Sequence, residues 1–243
     1  MNQESSMIYH PGVLYGVGVG PGDPELMTLK AVRLIRENQV IALPGIHPTD
    51  SVAYRIAVQS VPELAEKELV PLPMPMVRDR VMLRSAHCEC AGLLQSYLDR
   101  GQNVVCLTLG DPTVYSTFSY LQRLLEEDGY PVQVVSGVPS FCAAAARLGV
   151  PLAEWDEPLH IFPAAHTEQF RMEQNGNYVL MKCGSRMKNV KGYVKDSGRS
   201  VYAAENCGMP DEKLYSSVNE LPDEAGYFSL VIVKDATDWQ TGK

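Results

Sequence analysis

Leu107-Thr-Leu-Gly-Asp-Pro-Thr-Val-Tyr-Ser116 is the stretch that decides how this chain folds. The apolar run at 104–109 reads as a buried parallel strand. It stops at Gly110-Asp111-Pro112. Glycine turns where a side chain would clash, and proline fixes φ and removes a donor. Residues 115–128 then read as a helix. Strand, tight turn and helix put the turn at the carboxyl edge of a sheet, where open α/β sheets take ligands. Asp111 is therefore a candidate for a charged group in a cleft. The plain alternative is a Gly-Asp-Pro turn with no further role.

Outward from this stretch the pattern repeats. Strands are expected at 13–17, 39–43, 68–72 and 132–135, with helices at 25–38, 50–58 and 79–100. The first helix carries Leu26, Leu29, Ala31, Val32 and Ile35 as its apolar stripe. Alternating strands and helices predict an α/β domain with a mostly parallel sheet over 1–130. A short Ala-rich helix at 141–148 follows, then strands at 160–163, 177–182, 200–204 and 228–234. These predict a second α/β domain over 131–243.

Composition bounds the function. The 243 residues are 45% hydrophobic and carry a net charge of −8. That balance argues against nucleic acid as a partner, and an anionic ligand would need a local basic patch. No apolar run approaches ~20 residues, so no membrane partner is expected. Residues 1–10 do not read as a signal peptide. Six irregularly spaced cysteines suggest a reducing cytoplasm rather than a disulfide framework.

Gly16-Val-Gly-Val-Gly-Pro-Gly-Asp23 invites a dinucleotide-binding reading, but the spacing fails. The third glycine of G-x-G-x-x-G falls on Pro21 or Asp23, and the second strand ends in Leu43-Pro44-Gly45 without a ribose-binding acid. His87-Cys-Glu-Cys90 is no metal site either. Cys88 and Cys90 point about 200° apart on a helix, and two ligands do not hold zinc. Arg78, Arg80 and Arg84 are either a solvated helix start or carboxylate binders, since guanidinium forks match carboxylates.

Three segments in this order and spacing, G-V-G-P-G-D-P-E-L-M-T-L-K-A, L-G-D-P-T-V-Y-S-T and S-G-V-P-S-F-C-A-A-A-A-R-L-G-V-P-L, resemble the class III tetrapyrrole methyltransferases. The resemblance runs from about Leu14 to Val233. Within it, D-S-V-A-Y-R-I-A and P-M-V-R-D resemble the branch that methylates C20 of precorrin-2 or cobalt-factor II in cobalamin biosynthesis. Another tetrapyrrole methyltransferase of the same class and a non-catalytic binding protein that keeps the fold are the alternatives, with diphthine synthase, also of this class, a more distant one.

The resemblance implies two α/β domains with a cleft between them, a homodimer, and S-adenosylmethionine as methyl donor to a tetrapyrrole. The matching cofactor positions are Pro21, Leu109, Gly110, Asp111, Val114 and Tyr115 in the first half. In the second they are Ser140, Phe141, Met181, Lys182, Ala204, Glu205, Asn206 and Leu230. Asp111 is the first candidate for a catalytic role, as base or orienter, and Tyr115 the second. Lys30, Arg55, Arg78, Arg80 and Arg84 are candidates to pair with substrate carboxylates. No protein metal is implied. Two positions depart from the family pattern: Leu109 stands where a glycine is frequent, and Ser136 where proline is usual.

Overall fold

The computed structural model describes residues 10–75, 77, 79–164, 172, 175–195 and 197–235. They form two compact units. The first comprises Pro24–Val138 with the chain up to Gly20, and the second comprises Pro139–Lys243 with Pro21–Asp23. The division falls after Val138, not near residue 130, because the strand at 132–135 hydrogen-bonds into the first sheet.

The first sheet is built from β1 (Leu14–Gly18), β2 (Val40–Pro44), β3 (Glu68–Leu72), β4 (Val104–Thr108) and β5 (Val132–Val135). Their order is β3-β2-β4-β1-β5, and every pairing is parallel. The connecting helices are α1 (Leu29–Glu37), α2 (Val52–Ser60), α3 (Arg80–Leu98) and α4 (Phe118–Glu127). From β1 to β3 the chain moves toward one edge, and from β3 to β5 it returns. Crossovers of one hand must change face when they change direction. Accordingly Ala31, Ile35, Ile56 and Ala57 of α1 and α2 share a core with Val17, Ile41, Val105 and Leu107. Ala91, Leu94, Leu121 and Leu125 of α3 and α4 share the opposite core with Leu14, Val40, Val104 and Cys106.

Helix starts follow local chemistry. Thr28 caps α1, its Oγ1 accepting from the Ala31 amide at 3.1 Å. Residues 24–26 form a separate 3-10 turn, so the helix expected from 25 begins at 29. Asp79 caps α3, accepting from the Val81 and Met82 amides at 2.8 and 3.1 Å. The helix expected from 115 begins at Phe118, because Tyr115 has φ +47°, which no α-helix accommodates.

The second sheet contains β6 (Leu159–Pro163), β7 (Asn177–Met181), β8 (Ser200–Glu205), β9 (Lys213–Tyr215) and β10 (Ser229–Lys234), in the order β6-β7-β10-β8-β9. Only β6 and β7 pair in parallel; the other pairings are antiparallel. Helix α6 (Met187–Lys195) buries Met187, Val190 and Val194 with Tyr178, Leu180, Ala203 and Val231. Helix α5 (Ser140–Leu148) packs on β8 and β10.

Candidate active site

The carboxyl ends of β1, β4 and β5 converge in the first unit, and three glycines let them. A Cβ on Gly18 would lie 2.4 Å from the Gly110 carbonyl oxygen, and one on Gly137 would lie 2.2 Å from it. Gly110 itself has φ +71°. Its amide donates to the Gly20 carbonyl at 2.8 Å. Backbone therefore packs on backbone here, with no room for a side chain.

Asp111 locks this junction. Its Oδ1 accepts from the Thr113 amide at 2.7 Å and the Thr113 hydroxyl at 2.5 Å. Its Oδ2 accepts from the Gly137 amide at 3.0 Å and from the Ser136 hydroxyl. Burial alone would raise the Asp111 pKa. The Ser136 and Thr113 hydroxyls, with the Thr113 and Gly137 amides, outweigh burial and hold it below its ordinary value. The residue is 5% exposed. The expected cleft-facing carboxylate is thus turned back into its own unit, where both oxygens are occupied. Ser136, at the position usually held by proline, supplies one of the four donors.

Tyr115 lies beyond the turn, 46% exposed and in the left-handed region. Leu109 packs on the α1–α2 core, and Thr108 Oγ1 meets Ser116 Oγ at 3.0 Å. The described non-glycine residues with positive φ are Tyr115, Trp155, Lys182 and Asn206. Three of these four are sequence-expected cofactor positions. Lys182 directly follows β7, and Asn206 directly follows β8. Such conformations cost about 1–3 kcal/mol each and concentrate at functional sites.

In the second unit the expected positions cluster. Leu230 pairs with Met181 on one side and with Ala204 on the other, so the three form one cross-strand row. Side chains in register share a face. This face lies opposite the α6 core, because Leu180, Ala203 and Val231, the alternate residues, belong to that core. Ser140 and Phe141 begin α5. Gly22 presses against the loop after β8, where a Cβ would meet the Cys207 carbonyl oxygen at 2.2 Å. That contact brings Pro21 to the Asn206 loop. Glu205 Oε1 accepts from the Gly226 amide at 2.9 Å. Arg147 grips Glu212 bidentately, with Nη2–Oε1 at 2.6 Å and Nε–Oε2 at 3.2 Å, and Glu212 also accepts from the Gly208 amide. The Arg147 contact leads in holding the Glu212 carboxyl below its ordinary pKa.

A cavity of about 710 Å³ opens at the carboxyl ends of β2 and β3. Its walls include Ile46, His47, Asp50, Met74, Met82 and Glu89. Asp50 opens the D-S-V-A-Y-R-I-A segment and Glu89 lies in His87-Cys-Glu-Cys90, but the sequence marks none of the six as a site residue. The available signal was their place directly after two parallel strands, at Pro44-Gly45 and Pro71-Leu-Pro-Met-Pro75. Met82, Ser85, Ala86 and Glu89 give the cavity one stripe of α3. Arg80 and Arg84 lie two residues to either side of Met82, hence about 200° round the helix from it. Lys30, Arg55, Arg80 and Arg84 are exposed, and among the described residues their side chains form no ion pair. Arg78 lies outside the described residues. His87 stacks on Tyr120 with ring centroids 4.7 Å apart, while Cys88 is exposed and Cys90 buried, as their helical spacing requires.

Known proteins place this architecture. The model of the tetrapyrrole (corrin/porphyrin) methylases matches residues 13–222. A probable cobalt-precorrin-2 C(20)-methyltransferase of Methanocaldococcus jannaschii is 33% identical over 225 residues, covering 91% of this chain and 95% of that protein. A precorrin-2 C(20)-methyltransferase of a Sinorhizobium species is 30% identical, covering 91% and 95%. The structure of uroporphyrin-III C-methyltransferase from Thermus thermophilus, complexed with S-adenosylhomocysteine, shares the fold. Its TM-score is 0.67 at 24% identity, covering 92% of each chain. The chain belongs to the tetrapyrrole (corrin/porphyrin) methylases.

Proposed function

We propose that this chain transfers a methyl group from S-adenosylmethionine to the C20 meso carbon of a reduced tetrapyrrole, precorrin-2 or cobalt-factor II, in cobalamin biosynthesis. The observation that carries the reading is the 33% identity, over 95% of its length, to a protein named for that reaction. The local chemistry agrees with the donor. The stretch 107–116 contains no lysine or arginine that would repel a sulfonium. Its Thr108, Thr113 and Ser116 hydroxyls are held by one another and by Asp111, so they present an ordered, uncharged polar surface beside the Gly110 turn. In the second unit, the Met181–Leu230–Ala204 row and the strained Lys182 and Asn206 belong to the same proposed binding set.

S-adenosylmethionine supplies a methyl group already activated for in-line displacement by a carbon nucleophile. The protein then has to position the two reactants, exclude water and allow the proton on C20 to leave. Asp111 serves the positioning. With four donors on its two oxygens it fixes the Gly110–Asp111 backbone and has no lone pair aimed at a substrate proton. Lys30, Arg55, Arg78, Arg80 and Arg84 are the proposed partners of the substrate carboxylates. Four of them being exposed and unpaired among the described residues supports this. Homodimeric assembly in the cytoplasm, without nucleic acid or membrane, belongs to the same proposal. The net charge of −8 supports the exclusion of nucleic acid, and no described helix is long and apolar enough to cross a membrane.

Calorimetry with S-adenosylhomocysteine and with NAD tests the donor. Saturable binding of the first and none of the second is expected. Tight NAD binding without S-adenosylhomocysteine binding would overturn the reading.

A further inference from the structure

We propose that Arg147 and Glu212 form a latch that positions the cofactor-binding segments of the second unit, so that this pair sets the affinity for S-adenosylmethionine without touching it. The inference rests on the function proposed above and deepens it. It starts from an ion pair between residues 65 positions apart, at the junction of three segments that each carry proposed cofactor positions.

The first segment is α5. Ser140 and Phe141 open it, and Arg147 stands in its last turn. The helix between Ser140 and Arg147 is a rod of about 10 Å. Ala143, Ala144 and Ala145 are its buried residues, and their short side chains let it lie close on β8 and β10. Those strands carry Ala204 and Leu230. Gly149, with φ +68°, closes the helix by donating to the Ala145 and Ala146 carbonyls. Whatever holds Arg147 therefore acts on a stiff element whose other end is a proposed cofactor contact.

The second segment is the loop after β8. Its left-handed Asn206 donates from the amide to the Phe228 carbonyl at 2.9 Å and from Nδ2 to Asp211 at 2.6 Å. The Met209 amide returns to the Asn206 carbonyl, and the Glu212 amide to the Met209 carbonyl. Glu212 then folds back, its Oε2 accepting from the Gly208 amide at 2.7 Å. The third segment, Pro21–Asp23, presses on this loop, since a Cβ on Gly208 would lie 2.6 Å from the Asp23 amide nitrogen. The loop thus carries Asn206 and supports Pro21, and Arg147 ties it to α5. An exposed ion pair usually contributes little. Here the guanidinium fork is bidentate and the Glu212 side chain is 13% exposed. Arg147 itself is 61% exposed, so truncating it opens no cavity. It leaves a largely buried carboxylate without its charged donor. The loop must shift to hydrate that carboxylate, and Asn206 and Pro21 move with it.

Arg147→Ala, Arg147→Lys, Glu212→Gln and the double variant Arg147→Ala/Glu212→Gln test this in the full chain. Calorimetry with S-adenosylhomocysteine, steady-state kinetics and urea unfolding are the readouts. Arg147→Ala should weaken S-adenosylhomocysteine binding and raise the KM for S-adenosylmethionine by about tenfold, the loss of one charge-assisted contact. Its kcat at saturating cofactor should be unchanged. Arg147→Lys keeps the charge without the fork and should fall between Arg147→Ala and the wild type. The double variant should bind no more weakly than Arg147→Ala, because two members of one latch do not add. Wild-type cofactor affinity in Arg147→Ala overturns the inference whatever the unfolding midpoint, since the pair would then be structural only. Additive losses in the double variant overturn it too, as does a lowered kcat at unchanged KM. If the wild type does not bind S-adenosylhomocysteine, the methyltransferase reading falls, and this inference with it.

Discussion

Asparagine at position 111 separates a structural carboxylate from a catalytic one. The native carboxylate accepts two hydrogen bonds on each oxygen. An asparagine has one oxygen and one NH₂, so whichever way it turns, the NH₂ faces two donors. The Ser136 and Thr113 hydroxyls can rotate to become acceptors, but the Gly137 and Thr113 amides cannot. At least one N–H is left without its partner, and the loss of a charged acceptor adds to this. The expected destabilisation of the first unit is about 2 kcal/mol, or roughly 6 °C in Tm. The sign with pH follows from the lowered pKa of Asp111. Its stabilisation is complete above the unfolded-state value of about 3.9 and is lost as pH falls through the lower folded-state value. The gap between wild type and Asp111→Asn should therefore be constant near neutrality and close below about pH 4. Urea unfolding at a series of pH values, alongside steady-state kinetics, reads both quantities. A variant with the wild-type unfolding midpoint but a lowered kcat at unchanged KM would refute this reasoning and restore Asp111 as proton acceptor.

Gly137→Ala should destabilise by about 3 kcal/mol, because its Cβ would meet the Gly110 carbonyl at 2.2 Å; urea unfolding checks this. His87 is 7% exposed, and its Nε2 has no hydrogen-bond partner among the described residues. Burial lowers its pKa, so stability should fall as pH drops below about 6.5, where the unfolded chain takes up a proton that the folded ring resists. His87→Phe should remove that slope in thermal melts at pH 5 and 8. Tyr115→Gly should relieve left-handed strain and raise stability by about 1 kcal/mol, while calorimetry shows weaker S-adenosylhomocysteine binding. Unchanged binding would make Tyr115 a strained residue without a role in the site.

The strands of the first sheet are readable because each is an apolar run closed by glycine, proline or a polar turn. Residues 68–72 and 132–135 carry that signal to their boundaries. The start of α4 is not readable, since nothing in Val114-Tyr115-Ser116 announces a left-handed tyrosine. Helix α6 is not legible because Met187-Lys-Asn-Val-Lys-Gly-Tyr-Val-Lys195 holds a glycine and few apolar residues, and its stripe emerges only against the second sheet. β9 has three residues, too few for a period. In the site, Asp111 stands out in the sequence but its partners do not. Ser136 and Gly137 lie 25 and 26 positions further on, and they reach it because β1 is inserted between β4 and β5. The cavity wall at His47 escaped for a similar reason: it needs β2 and β3 to end side by side, which strand order decides.

The most direct test of the account supplies S-adenosylmethionine labelled with ¹³C in its methyl group, together with precorrin-2 and, separately, cobalt-factor II, under anaerobic conditions. The product is then located by carbon NMR after demetallation. One labelled methyl per macrocycle is expected, bonded at the C20 meso position. Label at any other carbon, or no transfer from a protein that binds S-adenosylhomocysteine and the tetrapyrrole, would contradict it.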